Sequence, residues 1–168
     1  VPSFYEVTYH LDGTVASITP TNGAPARVTK RIVQDLDKQY YSTPAIVPNT
    51  EIVHDRVTLE LFRGCIRGCR FCQAGYVYRP VRSKHCEGLI QQGIQALENS
   101  GYQEITLSSL STSDYRQLEP LCDGLMDYCL AHKTNLSLPS LRADNFSMNL
   151  MQKLNKVRRT GLTFAPEA

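Results

Sequence analysis

From Arg56 to the end of the chain, short β-prone runs alternate with amphipathic helical stretches, and this rhythm limits the fold more than any other feature. VTLELF reads as a strand. HCEGLIQQGIQALENSG places Leu89, Ile90, Ile94 and Leu97 at helical spacing and stops at Gly101. EITLSS is a second strand. SDYRQLEPLCDGLMDYCLAH is a second helix, with Leu118, Leu121, Cys122, Leu125 and Cys129 on one stripe. Its regular part is expected to start near Pro120, because proline is tolerated in the first turn and disfavoured deeper in a helix. NLSLP, NFSMNLMQKLNKVRR and TGLTFA continue as strand, helix and strand. From Ile105 onward the strand starts recur at intervals of roughly 30 residues, the length of a βαβ unit. Right-handed crossovers turn such an array into a parallel sheet.

The expected fold class is therefore α/β. The leading architecture is a partial (β/α) barrel of about four βα units, and the alternative is an open doubly wound sheet. In both, functional groups lie on loops at the C-terminal ends of strands. Four strands cannot close a barrel and the last would leave an exposed edge. Residues 56–168 are thus expected to be the N-terminal part of a barrel core truncated at its C-terminus, and the start at Val1 rather than Met also suggests a fragment. Residues 1–55 read as a separate extension and linker. FYEVTYHLDGTVASITP alternates apolar and polar residues around Asp12-Gly13, which predicts a hairpin with a two-residue turn. RIVQDLDKQYY is expected to form a short helix, and STPAIVPNTE a proline-punctuated connector.

Into this frame the stretch RGCIRGCRFCQAG inserts Cys65, Cys69 and Cys72, immediately after the first strand of the array. Thiolates are soft ligands suited to zinc or to iron–sulfur clusters. Three of the six cysteines crowd into eight residues, which favours a metal site in a reducing cytoplasm over a disulfide framework. Gly64 and Gly68 would let the loop fold back around a metal. Three ligands on a four-iron cluster would leave one iron with an open position, as a catalytic metal site requires. Cys122 and Cys129 read as small buried core residues. Cys86 and His85, at the start of the following helix, are expected to be incidental. The bland alternative is a structural zinc site completed by one of that last pair.

The pattern C-x3-C-x2-C with an aromatic residue before the last cysteine, here C-I-R-G-C-R-F-C, resembles the signature of the radical S-adenosylmethionine (radical SAM) enzymes. The longer runs HDRVTLELFRGCIRGCRFCQAGYVYRPVR, LPSLRAD and GLTFAPEA are similar to one subgroup, the B12-binding-type radical SAM proteins of unassigned substrate. The resemblance covers essentially the whole chain, and the cysteine motif is its most specific part. It implies a [4Fe–4S] cluster held by Cys65, Cys69 and Cys72, with SAM on the fourth iron. Reductive cleavage of SAM would then give a 5′-deoxyadenosyl radical that abstracts hydrogen from a substrate. It also implies an adenine-side role for Phe71. The usual glycine-acidic motif after the second strand is replaced here by Ser108-Ser109-Leu110-Ser111, so Ser109 and Ser111 would have to serve the SAM amino group. Arg142 is a candidate for the SAM carboxylate by charge-assisted pairing, and Glu167 for ribose hydroxyls or substrate.

Further implied partners are a low-potential donor of the flavodoxin or ferredoxin type and cobalamin held by an upstream domain outside this chain. The reaction types left open are cobalamin-dependent methyl transfer and methylthiolation of tRNA. The latter needs a second cluster, and no second cysteine trio follows Cys72. A non-catalytic zinc or iron–sulfur module is the competing class. Arg63, Arg67, Arg70, Arg79, Arg82 and Lys84 make a basic run with no acidic residue from 63 to 84. It is read either as an electropositive mouth for SAM and an anionic substrate, RNA included, or as a solvated loop. Tyr76 and Tyr78 beside it are expected to serve packing. The formal net charge of +2 does not point to nucleic acid, and no apolar run approaches the roughly 18 residues of a membrane span. A cytoplasmic protein without a membrane partner is the expectation.

Overall fold

The computed structural model describes residues 2–42, 44–145, 148–155, 157 and 164–165. The chain divides into two compact units, Val1–Val33 and Gln34–Ala168. The sequence reading placed that division at 55/56.

In the first unit, β1 (Tyr5–Tyr9) and β2 (Val15–Pro20) form an antiparallel hairpin. The turn is longer than Asp12-Gly13 alone would make it. Tyr9 pairs with Val15 after a bulge, so residues 10–14 form the loop. The Gly13 N–H donates to the His10 carbonyl and the His10 N–H to the Thr14 carbonyl. Gly13 adopts φ +82°, where an L side chain would be strained, and the Asp12 carboxylate accepts from both the N–H and the hydroxyl of Thr14.

The second unit is built on a parallel sheet. Its strands β3 (Val57–Glu60), β6 (Glu104–Ser108) and β7 (Asn135–Ser137) lie side by side in chain order, with Leu59 opposite Leu107 and Ile105 opposite Leu136. Two crossover helices join them. Helix α2 (Cys86–Ser100) ends at Gly101, which takes the left-handed conformation and returns its N–H to the Leu97 carbonyl. Helix α3 (Leu118–His132) carries Pro120 as its third residue, within the turn whose N–H groups lack helical partners. The predicted stripe of Leu118, Leu121, Cys122, Leu125 and Cys129 is buried in full and joined by Met126. Gly93 brings α2 down onto the sheet and onto α3. A Cβ there would stand 2.9 Å from Leu59, 3.0 Å from Ile105 and 3.2 Å from Leu125.

Shorter elements surround the C-terminal strand ends: β4 (Phe62–Arg63), α1 (Ala74–Val77), β5 (Arg82–Ser83) and β8 (Leu141–Arg142). Strands β4 and β5 pair antiparallel across the base of the cysteine loop. After α4 (Met148–Leu154), strand β9 (Phe164–Ala165) pairs parallel with β8.

The helix expected in RIVQDLDKQYY does not form. The Asp35 carboxylate accepts the Asp37 N–H and the Asp37 carboxylate accepts the N–H of His85, so both side chains satisfy backbone donors in a non-helical path. Leu36 between them is 1% exposed, and this anchors the segment to the second unit.

Candidate metal centre

The cysteine loop starts at the end of β4 and is closed at its base by backbone contacts. The Cys65 N–H donates to the Tyr78 carbonyl at 3.1 Å, and the Cys72 N–H to the Cys69 carbonyl at 3.0 Å. Gly64 permits the closure, since it adopts φ +102° and a Cβ would lie 2.5 Å from the Tyr78 oxygen. The second critical glycine is Gly75 rather than the expected Gly68. A Cβ on Gly75 would fall 1.8 Å from the Arg67 oxygen, whereas one on Gly68 would meet open space.

Cys65, Cys69 and Cys72 are half-buried free thiols lining one cavity of about 240 Å³, together with Arg67, Ser111 and Arg142. Each sulfur accepts a hydrogen bond. The backbone N–H of Arg67 donates to Cys65 Sγ at 3.4 Å, and that of Ala74 to Cys72 Sγ at 3.4 Å. The Arg142 guanidinium donates to Cys69 Sγ at 3.8 Å through Nη1. Among the described residues, no three His, Cys, Asp or Glu side chains converge closely enough to ligate a single metal ion. A four-iron cluster asks for something different, because each thiolate binds its own iron and the sulfurs spread around the cluster. Three thiols on one cavity wall, each supplied with a donor, fit a thiolate-held cluster in donor chemistry.

The remaining cysteines are chemically apart. Cys86, Cys122 and Cys129 are buried in the core. Burial pushes the Cys122 thiol up to about 12 and the Cys129 thiol up to about 11. Exposed His85 pairs with Asp37, and neither it nor Cys86 lines the cysteine cavity. The residues considered for completing a zinc site therefore lie elsewhere.

Two arginines brace the loop, each gripped by an aspartate. Arg67 binds Asp114, with Nε at 3.0 Å from Oδ2 and Nη2 on Oδ1. The Asp114 carboxylate is nearly buried, and hydrogen bonding from Arg67 holds it below the ordinary aspartate value of 3.8. Arg142 binds Asp144 in the same two-pronged way, Nε at 3.0 Å and Nη2 at 2.8 Å. Hydrogen bonding to Asp144 first, then to Cys69, raises the Arg142 pKa. The Nε–Nη2 face of Arg142, suited to a ligand carboxylate, is thus occupied by Asp144.

Ser111 Oγ is buried in the cavity wall. It lies close enough to Asp114 to help hold that carboxyl down, yet meets no hydrogen-bond partner of good geometry. Ser109 faces Thr112, their hydroxyls 3.2 Å apart, and does not line the cavity. Phe71 and Tyr76 are each 72% exposed and Tyr78 is 52% exposed, so the tyrosines do not pack as expected. Glu167 lies outside the described residues.

Much of the basic run serves the scaffold. Arg63 binds Glu60 at 2.6 and 2.8 Å, and Arg79 holds the carbonyls of Gly75 and Ile66. Lys84 is buried, with its ammonium 5.4 Å above the Tyr41 ring, and burial lowers its pKa. The roles of Asp114 and Asp144 emerge only in the folded chain. Asp144 was visible two residues after Arg142, and Asp114 as the first acidic residue after β6.

No family model matches the chain. It is 34% identical over 110 residues to an uncharacterized protein of Methanocaldococcus jannaschii, covering 66% of this chain and 23% of that protein. It is 31% identical over 96 residues to the threonylcarbamoyladenosine tRNA methylthiotransferase MtaB of Bacillus subtilis, covering 57% and 19%. The enzyme of the same name from Treponema pallidum is 24% identical over 126 residues, covering 70% and 26%. The matched stretches span from 19% to 26% of the lengths of these relatives. The similarity to the methylthiotransferases is distant and partial.

Proposed function

We propose that this chain is part of a radical SAM enzyme, in which Cys65, Cys69 and Cys72 hold a [4Fe–4S] cluster and SAM binds beside them. The observation that carries the reading is the single cavity walled by all three thiols, with a hydrogen-bond donor on each sulfur. When bound, a reduced cluster would supply the electron that cleaves SAM. The chain's own residues hold the loop in place, shield the thiolates and offer Ser111 Oγ as a polar contact within the cavity. The core is proposed to be part of a (β/α) barrel. Its support is the order β3-β6-β7, which follows the chain without the reversal of a doubly wound sheet.

Anaerobic reconstitution with iron and sulfide is expected to give a brown protein with thiolate-to-iron charge-transfer absorption. Dithionite and SAM should then release 5′-deoxyadenosine from the full-length enzyme. One zinc and no sulfide per chain would instead identify a non-catalytic module.

The partial similarity to two enzymes named tRNA methylthiotransferases favours tRNA as the substrate among the reaction types considered. Nucleoside mass spectrometry of tRNA from cells lacking the gene tests this. An unchanged nucleoside profile would remove tRNA from consideration.

A further inference from the structure

Cys65 and Cys72 receive donors from backbone N–H groups two residues further along the same loop. Cys69 differs, because its donor is a charged side chain reaching in from 73 residues away. A guanidinium on a long stem loses considerable rotamer freedom when held over one sulfur. Asp144 holds the guanidinium itself, and two further contacts fix the backbone around it. Asp144 grips Nε and Nη2 at 3.0 and 2.8 Å, which fixes the plane of the fork and leaves Nη1 directed at the sulfur. The Arg142 backbone N–H donates to Ser113 Oγ at 3.1 Å, and Asn145 Nδ2 donates to the Ser113 carbonyl at 2.8 Å. The Arg142 side chain is only 12% exposed, so its charge acts on Cys69 with little water between them.

We infer that Asp144 is a positioning residue that locks the Arg142 guanidinium onto the sulfur of Cys69, and that this pair sets the electronic character of the metal site. The inference rests on the proposed cluster ligation by Cys65, Cys69 and Cys72. A hydrogen bond and a positive charge at a ligating sulfur favour the reduced, more negative state of a cluster, so they raise its reduction potential. Arg142 supplies both. Asp144 touches neither sulfur nor cavity ligand and acts by holding the fork.

The test is a redox titration of the anaerobically reconstituted chain, followed by its absorption and by electron paramagnetic resonance. Iron and sulfide are measured on every sample. R142Q is expected to keep its iron and shift the midpoint potential to a more negative value. D144N removes a carboxylate, which by itself raises the midpoint, so a smaller shift to more negative values there reports the lost hold on the fork, and a shift to more positive values overturns the inference. In an R142Q background D144N should give no negative shift, because the fork it holds is gone. An R142Q protein with full iron and an unchanged midpoint overturns the inference. So does a negative D144N shift that persists undiminished beside R142Q, which would show that Asp144 acts by a route other than the fork. If R142Q takes up no cluster, R142K is titrated instead. It keeps the charge without the fork and should shift negatively, and an unchanged midpoint there counts equally against the pair. A wild-type chain that binds no iron and sulfide defeats the ligation reading itself, a different result from an unshifted midpoint.

Discussion

At Gly75 even a methyl group would intrude on the Arg67 carbonyl, and at Gly64 it would meet the Tyr78 oxygen in a backbone conformation unfavourable to L side chains. Gly68 has neither constraint. Gly75→Ala and Gly64→Ala are predicted to destabilise the protein by about 1–3 kcal/mol and to lower iron uptake, while Gly68→Ala stays within about 0.5 kcal/mol of wild type. Denaturant unfolding with iron analysis on the same samples checks this, and a costly Gly68→Ala would contradict it. Asp114 adds a pH dependence. Its folded-state pKa is depressed, chiefly by Arg67, so its stabilising contribution is complete above the ordinary value of 3.8 and is lost as pH falls through the lower folded value. The predicted gap in melting temperature between wild type and Asp114→Asn is constant near neutrality and narrows in acid below about pH 4. A gap that widened on acidification would show that the carboxylate does not stabilise the loop.

The elements were legible to the extent that their pattern is local. The stripes of α2 and α3 repeat at helical spacing and could be read directly, as could the strands between them. Residues 31–41 carry an apolar spacing that suggests a helix, yet Asp35 and Asp37 turn their carboxylates to backbone donors, a competition that spacing does not register. Motif and strand end single out the three cysteines and Arg142, which line one cavity. The grip of Asp114 on Arg67 spans 47 residues and leaves no trace in local sequence. Leu36→Ala is predicted to cost about 2–5 kcal/mol, as for a core leucine, although no regular element contains it. A loss under 1 kcal/mol in urea unfolding would mean the segment only rests on the surface. Gly93→Ala forces three buried side chains to shift and should cost about 1–3 kcal/mol.

At the scale of the molecule, the two units meet in chain order at Val33 and Gln34, after a largely exposed stretch from Asn22 onward. Exposed connecting segments are where proteases cut first. Limited trypsin digestion is predicted to cleave at Arg27, Lys30 or Arg31 and leave a resistant product of the remaining chain. Mass spectrometry showing early cuts within Cys86–Ser100 instead would contradict the division. Among the described residues, no helix is long and apolar enough to cross a membrane.

Two long-range contacts of the cysteine loop also impose an order of assembly. The Arg67–Asp114 ion pair joins the loop to the segment after β6, and the Arg142–Cys69 hydrogen bond joins it to the end of β8. Neither can close until the helices have crossed over and the strands have found their register, because closing so long a span costs chain entropy that only packed neighbours offset. The bracing of the thiols is therefore completed after the hydrophobic interior has formed. A metal arriving early in synthesis would meet three neighbouring cysteines without their arginine braces, and one arriving late would meet the finished cavity.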